Sequence, residues 1–163
     1  MVHKIYDFLT NLEGEWISQQ TVYYINTKKV NVHKIKNKIM RMKTNNINII
    51  DTLSSSTNNI YTLKYVDLNT DNISSNIFIV RDQSNLGHLQ KIYSESKQNY
   101  IYKLCSDSSL QIQYIDKVNC YSEYIYVLNK NFRISIGIMK KLEKYIAVSF
   151  TSHIKTIKSN LMY

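Results

Sequence analysis

The chain has 163 residues, with 21 Lys and Arg against 12 Asp and Glu, and a formal net charge of +9. Hydrophobic residues make up 44% of the sequence, which excludes a disordered chain and allows one domain with a substantial core. No apolar run approaches the roughly 20 residues of a membrane-spanning helix, so we expect no membrane span. Proline is absent, whereas Asn, Ile, Lys, Ser and Tyr are abundant, a bias typical of an AT-rich genome.

The first segment of the chain predicts a short helix that caps a sheet or barrel. Ile5, Phe8, Leu9 and Leu12 recur at helical spacing, and Gly14 is a suitable C-terminal stop. Acidic residues interrupt this segment, and it lacks the long apolar core of a secretory signal. We therefore interpret it as part of the folded domain.

Short alternating segments follow at regular intervals and predict strands. They cover residues 16–25, 34–39, 60–67, 76–82, 89–95, 100–105, 110–116, the two arms of 121–136, and 143–155. Turn-rich residues separate most of them, and the polar stretch 45–59 predicts a loop or the end of a helix. Many short strands in one chain of this length indicate an antiparallel sandwich or barrel.

The most basic run, Lys28 to Lys43, predicts a strand with a charged outer face. In its centre three lysines alternate with three other residues: Lys34, Lys36 and Lys38 against Ile35, Asn37 and Ile39. Two interpretations stay open: a solvated strand whose lysines protect a sheet edge, or a surface that docks an acidic protein. The run contains a single arginine, Arg41, and no stacking aromatic side chain between its basic residues, so we expect no nucleic-acid partner.

The stretch from Tyr121 to Ile136 predicts a hairpin that carries an acid and a guanidinium. Glu123 shares a face of the first arm with Ile125 and Val127, whereas Ser122, Tyr124 and Tyr126 take the other face. On the second arm, Arg133 and Ser135 share one face. If the hairpin turns about Leu128, Glu123 lies opposite Arg133. The pair is then either an ion pair facing solvent or a binding site inside a barrel.

Reactive groups of the usual catalytic kinds are not arranged in a recognisable pattern. Cys105 and Cys120 are expected to be reduced thiols, inert or in the core, rather than a disulfide or nucleophiles. The four histidines lack metal-ligand spacing, and no glycine-rich phosphate loop is present, so we expect neither a metal nor a prosthetic group. A barrel that holds a ligand fits this pattern better than a nucleophilic enzyme.

Three stretches resemble one known family, the CpcS/CpeS (S-type) phycobiliprotein lyases. W-I-S-Q-Q-T-V-Y at residues 16–23 resembles the family's W-x-S-Q-R-T-x-H/Y opening. E-Y-I-Y-V-L-N-K-N-F-R-I-S at 123–135 resembles its E-R-I-W-F-x-N-P-N-L-R-L-R signature, and S-F-T-S-H-I-K at 149–155 resembles its S-F-C-S-E-I-R. The order and spacing of all three agree with the family.

The resemblance implies an all-β fold, a lipocalin or fatty-acid-binding-protein-like antiparallel β-barrel with a short N-terminal helix. We accordingly expect a single domain over 1–163, with a helical cap at 1–13, the barrel at 14–155 and a tail at 156–163. The implied function is a lyase that binds a linear tetrapyrrole (a bilin, expected to be phycoerythrobilin) non-covalently. It would direct thioether attachment of that substrate to a cysteine of an acidic phycobiliprotein subunit.

Several alternatives remain at this stage. The same barrel could serve as a non-enzymatic bilin carrier, or it could bind another apolar molecule such as a fatty acid. A homodimer is also open. Composition and family together place the chain in the plastid stroma of a red or cryptophyte-type alga, with a cyanobacterial cytoplasm as the alternative.

The resemblance also assigns roles to residues. Glu123 is expected to contact the pyrrole nitrogens and to assist proton transfer as the thiol adds. Arg133 is expected to pair with a propionate. Tyr126, at the family's tryptophan position, would line the pocket or stack on a ring. Asn131, at the family's second asparagine, is either a bilin-binding residue or a turn residue.

Four positions depart from the family pattern. Gln20 and Ser135 replace two arginines yet keep their expected places in the bilin site. Lys130 stands where a proline is usual, and His153 where a glutamate is common. Each missing arginine removes a charged hydrogen bond of about 1.5–3 kcal/mol from a bound propionate unless another group replaces it.

Overall fold

The computed structural model describes residues 2–42, 59–81, 84–94 and 96–156, with the side chains of residues 2 and 3 left out of the description. The elements are helix α1 (Val2–Asn11) and strands β1 (Gly14–Tyr24), β2 (Lys29–Met42), β3 (Asn59–Asp67), β4 (Ile73–Val80), β5 (Leu86–Ile92), β6 (Lys97–Ser106), β7 (Ser109–Ile115), β8 (Asn119–Asn129), β9 (Phe132–Lys141) and β10 (Lys144–Lys155). Every predicted strand is present, most of them longer than expected. The predicted loop at 45–59, apart from Asn59, and the tail beyond Thr156 lie outside the described residues.

The ten strands of the described residues form a closed antiparallel barrel. Each strand pairs with the next one along the chain, and β1 pairs with both β2 and β10. The closing β1–β10 ladder runs from Trp16 opposite Lys155 to Tyr24 opposite Ala147. The expected all-β barrel is therefore confirmed, and closure leaves no free sheet edge along these strands.

Helix α1 closes the end of the barrel where β1 begins. Its apolar face, formed by Ile5, Phe8 and Leu9, is buried with Leu12 in the main core. The indole N–H of Trp16 donates to the Leu12 carbonyl oxygen over 2.9 Å, which ties the end of this segment to the first strand. The helix that the sequence spacing predicts thus acts as a plug at one end of the barrel.

The strands alternate between lumen and solvent as their sequences predict. On β2, Ile39 is buried in the core, whereas Lys34 and Lys36 face solvent. The basic run therefore has the charged outer face that its alternation indicates. Cys105 and Cys120 are free thiols, one exposed and one partly exposed, so the alternative that they belong to the core is wrong.

The hairpin between β9 and β10 reverses without glycine or asparagine. Leu142 and Glu143 both have positive φ, at 48° and 62°. Two such residues in succession correspond to the turn that matches the right-handed twist of the flanking strands, and Asn-Gly is its usual sequence. In this glycine-poor chain, strand pairing holds two unsuited residues in the left-handed region.

No described helix is long and apolar enough to span a membrane.

Replacement of Phe8 by Ala tests the role of the helix as a plug. Phe8 is 1% exposed, so the change removes a large buried side chain and should lower the free energy of unfolding by about 3–5 kcal/mol. Urea unfolding followed by circular dichroism measures this. Ile17→Ala, at a position 51% exposed on the outer wall, is the control and should cost less than about 1 kcal/mol. Equal losses would mean that α1 does not close the core.

Candidate functional site

A cavity of about 130 Å³ lies in the lumen above the helical plug. Its apolar wall includes Phe78, Ile112 and Ile125. The polar and charged groups that line it come from seven strands: Asn37, Tyr65, Asn76, Lys91, Glu123, Arg133, Ser135 and His153. An apolar enclosure with a few convergent polar groups is the usual composition of a ligand site.

A wider pocket of about 410 Å³ continues from this cavity toward the open end of the barrel. Both are lined by Asn37 and Tyr65, so they adjoin. The outer pocket lies among β2, β3, β4 and the end of β5, with Ile35, Ile73 and Tyr93 among its lining residues. The lumen is therefore a continuous recess that narrows toward Glu123 and Arg133.

The hairpin of β8 and β9 places both Glu123 and Arg133 in the lumen, which favours the interior site over the solvent-facing ion pair. The expected register is wrong, however. The chain turns at Lys130 and Asn131 rather than at Leu128, so Val127 lies opposite Arg133 and Gly137 lies opposite Glu123. Because the register moves by an even number of residues, both side chains keep their inward face. They line one cavity without forming the expected direct pair.

The ion partner of Glu123 is Lys91, on β5. The Lys91 ammonium lies 3.5 Å from a Glu123 carboxylate oxygen, and the two side chains are 15% and 20% exposed. The same ammonium lies 4.9 Å from the centre of the Tyr100 ring. Burial is the largest single influence on the pKa of Lys91 and lowers it, but the Glu123 carboxylate and the phenols of Tyr93, Tyr100 and Tyr65 together outweigh burial, so the pKa is raised. Lys91 is therefore a charged residue inside the barrel.

Arg133 is 5% exposed, and its guanidinium lies over the indole ring of Trp16, 4.3 Å from the ring centre. Its buried Nε has no hydrogen-bond partner among the described residues. Burial lowers the pKa of Arg133, and nearby Tyr65 and Glu123 oppose that effect. A guanidinium in such surroundings gains from an anion, since a buried charge is costly unless it is paired.

His153 and Ser135 touch each other on neighbouring strands. One ring nitrogen of His153, Nδ1, lies 2.6 Å from the Ser18 hydroxyl, and Nε2 lies 3.4 Å from the Ser135 hydroxyl. Burial, helped by the positive charge of Arg133, lowers the pKa of His153 to about 3, so the imidazole is neutral near pH 7. Ser135 lines the cavity as expected, and two departures from the family pattern are hydrogen-bonded to each other.

The other expected site residues lie outside the inner cavity. Gln20 lines a separate recess of about 170 Å³ between β1, β9 and β10. The expectation for Tyr126 is wrong: it lies on the outer face, because it alternates with the inward-facing Ile125 and Val127. Asn131 is at the turn, where its backbone N–H donates to Asn129 Oδ1 over 2.8 Å and its carbonyl oxygen accepts from the Lys155 backbone N–H.

Sequence reasoning missed Lys91 and Tyr65. The signal for Lys91 is its position two residues after buried Leu89 on the same strand, which places both on one face. Tyr65 has the same relation to buried Leu63 on β3. Burial raises the pKa of Tyr65 by more than the nearby cations Arg133 and Lys91 lower it. Because the net change is a rise, the phenol stays protonated at neutral pH.

No sequence model of a known protein family matches the chain. It is 29% identical over 152 residues to a protein of Gracilaria tenuistipitata var. liui named chromophore lyase CpcS/CpeS homolog, and the alignment covers 91% of this chain and 95% of that relative. The fold matches the S-type phycobiliprotein lyase CPES from Guillardia theta with a TM-score of 0.68 and 11% identity, over 94% of this chain and 93% of the other. The chain is thus similar, over almost its whole length, to a protein that is named as a CpcS/CpeS-type chromophore lyase.

The same barrel fold also occurs in proteins that carry other names. A protein of unknown function of the DUF3598 family, from Nostoc punctiforme, matches with a TM-score of 0.57 and 8% identity, over 91% of this chain and 49% of that protein. At such low identity the likeness shows the fold alone. The argument about function must therefore rest on the residues that line the lumen of this chain.

The neutral state of His153 predicts a loss of stability in mild acid. The unfolded histidine takes up a proton below its ordinary pKa of about 6.5, whereas the folded one stays neutral down to about 3. Stability therefore falls as the pH drops below 6.5, at up to about 1.4 kcal/mol per pH unit, or about 2 kcal/mol between pH 7 and pH 5.

Urea unfolding at pH 8, 7 and 5 measures this loss. His153→Gln removes the titrating group and should reduce the difference between pH 7 and pH 5 by about 2 kcal/mol. Between pH 8 and pH 7 the free energy of unfolding should change by the same amount in the wild type and in His153→Gln. If the variant shows the full wild-type loss at pH 5, His153 is not held neutral in the fold.

Proposed function

We propose that this protein is a chromophore lyase of the CpcS/CpeS type, which binds a linear tetrapyrrole non-covalently in its barrel and directs thioether attachment of that bilin to a cysteine of a phycobiliprotein subunit. The observation that supports the proposal most directly is the meeting of Glu123 and Arg133 in one lumen cavity. The chain resembles a named chromophore lyase over almost its full length, and its fold resembles a named phycobiliprotein lyase. In this scheme the bilin is a substrate and no prosthetic group is needed.

The two charged groups complement the two kinds of polar group on a bilin. Pyrrole N–H groups donate, and Glu123 offers a carboxylate that accepts and favours the protonated, cationic tetrapyrrole. Propionates are anionic, and Arg133 offers a buried guanidinium with an unpartnered Nε. A fatty acid would use Arg133 alone and would leave the Glu123 carboxylate beside its apolar chain. Phycoerythrobilin is the bilin we propose.

The attachment step requires a thiol from the client rather than from this chain. Cys105 is exposed and Cys120 is partly exposed, and neither is among the residues that line the inner cavity. In the proposed step, the client sulfur bonds to one carbon of the bilin's exocyclic double bond, and a proton adds to the adjacent carbon. The thiol loses one proton and the bilin gains one, so no other reactant is needed. Glu123 assists by holding a proton at the pyrrole nitrogens.

A titration with phycoerythrobilin tests the proposal. Binding should sharpen the visible absorbance band, shift it to the red and saturate at one bilin per chain. Transfer to an apo-phycobiliprotein subunit then separates a lyase from a carrier, because a carrier binds the bilin without directing thioether formation. If phycoerythrobilin, phycocyanobilin and biliverdin all leave the spectrum unchanged, the proposed function is wrong.

Glu123→Gln should keep the barrel but weaken its effect on the bilin. The amide keeps the size of the side chain and removes the charge that favours the protonated tetrapyrrole. We expect the bound absorbance band to move toward the blue and transfer to slow by about 10-fold or more. Glu143→Gln, in the exposed β9–β10 turn, is the matched control. An unchanged spectrum together with unchanged transfer would place Glu123 outside the site.

An outer surface of β1, β2 and β10 is suited to an acidic client. Ile17 and Ile154 are exposed and lie opposite each other in the β1–β10 ladder. Lys36 lies next to Ile17 on β2, and Lys34 precedes it on the same exposed face. An apolar contact with positive charge along one side favours a partner that has an apolar centre and acidic residues along the matching side. We propose this surface, the Ile17–Ile154 patch, as the client-docking face.

The double variant Lys34→Glu, Lys36→Glu should slow transfer about 10-fold at low salt and leave phycoerythrobilin affinity unchanged, since charges at an interface rim act mainly on the association rate. Lys97→Glu with Lys103→Glu, on β6, is the control of equal charge change. If both double variants slow transfer equally, the effect comes from net charge alone and the Ile17–Ile154 patch is not the docking face. Sedimentation of the protein without client shows whether the same patch joins two copies into the homodimer considered above.

Residue usage supports a proposal for location. The abundance of Asn, Ile, Lys and Tyr and the absence of proline are typical of an AT-rich genome. We place the protein in the plastid stroma of a red or cryptophyte-type alga, where a phycobiliprotein client would be present, with a cyanobacterial cytoplasm as the alternative.

A further inference from the structure

We propose that Lys91 is a second cationic ligand-binding residue of the lumen. In the proposed complex it takes one propionate of the bilin, and its departure from Glu123 frees that carboxylate for the pyrrole N–H groups. This inference rests on the proposed function and deepens it, because it predicts that the site prefers a bilin with two ionised propionates over one without carboxylate charge.

The position of Lys91 is unusual for a lysine. It follows buried Leu89 on the inward face of β5, lines the same cavity as Arg133, and is mostly shielded from solvent. Lysine is among the residues least often found inside a protein unless it is paired. Its ammonium contacts Glu123 on β8, with β6 and β7 between the two strands in the barrel wall. The lysine therefore reaches into the lumen, where a ligand would meet it.

The charges of the cavity do not balance without an anion. Among the described lining residues, Lys91 and Arg133 are cationic and Glu123 is the one carboxylate, since His153 is neutral near pH 7. Glu123 is engaged by Lys91, and Arg133 makes no ion pair with a described carboxylate. A buried positive charge without a counter-charge is unfavourable, so the cavity favours an anionic ligand.

A bilin with two propionates fits this charge pattern better than a ligand with one carboxylate. Two cations match two propionates, and one carboxylate matches the N–H donors. Binding would break the Lys91–Glu123 ion pair and form two ion pairs with the ligand, while Glu123 accepts from the pyrroles. A lysine suits the exchange because its ammonium is a compact charge on a flexible stem and can move between carboxylates. It would also supply a cationic contact that Gln20 and Ser135 cannot.

The test compares phycoerythrobilin with its dimethyl ester, which keeps the pyrroles but has no carboxylate charge. Both ligands are titrated into the wild type, Lys91→Met and Lys103→Met, the last being a lysine on the exposed outer face of β6. Lys91→Met should bind the free acid about 10-fold more weakly and the ester within about twofold of the wild type. Lys103→Met should match the wild type with both ligands, and Lys91→Arg should keep the preference for the acid.

The outcomes separate the possible failures. Equal loss for acid and ester, or no loss for either, overturns the role of Lys91 in binding a carboxylate. A wild type that binds no bilin overturns the proposed function itself. If Lys91→Met does not fold, the double variant Lys91→Met, Glu123→Gln removes both charges together. The ratio of acid to ester affinity should then fall about 10-fold relative to Glu123→Gln alone, and an unchanged ratio rejects the inference.

Discussion

Trp16 joins the parts of this barrel on which the site depends. Its indole N–H donates to the Leu12 carbonyl and so fixes the end of the N-terminal segment. Its ring makes cation–π contacts with the Arg133 guanidinium and with the Lys155 ammonium, which lies 4.8 Å from the ring centre. Because β1 also closes the barrel against β10, one side chain links closure, plug and buried guanidinium. Arg133 can remain charged in the interior since the aromatic ring partly replaces its hydration.

The departures from the family pattern are easier to understand in three dimensions than in sequence. Ser135 and His153, which replace an arginine and a glutamate of the pattern, share a hydrogen bond inside the lumen. Two charged residue types are thus replaced together by two neutral ones, which avoids leaving one charge buried without a partner. Lys91 meanwhile supplies positive charge to the same cavity. The lumen of this chain therefore keeps two cations, Lys91 and Arg133, although two arginines of the pattern are absent.

The errors of sequence reasoning have specific physical causes. The β8–β9 register was wrong because Asn129 accepts the backbone N–H of Asn131 and places the turn two residues later than expected. Glu123 and Arg133 still share one face of the hairpin, because a register shift of an even number of residues leaves each side chain on the same face of the sheet. Tyr126 was misplaced because the family resemblance was followed where alternation already assigned it to the outer face. For that residue, the local period was the better guide.

The sequence by itself determined the strands, the helix and which residues of a strand share a face, because these depend on local periodicity of two or about 3.6 residues. Three short motifs also indicated the resemblance to the CpcS/CpeS lyases and singled out Glu123 and Arg133. Only the tertiary structure decided that Glu123 pairs with Lys91 rather than Arg133. That contact joins strands that are not neighbours, and its existence depends on closure of the barrel, which no local pattern encodes.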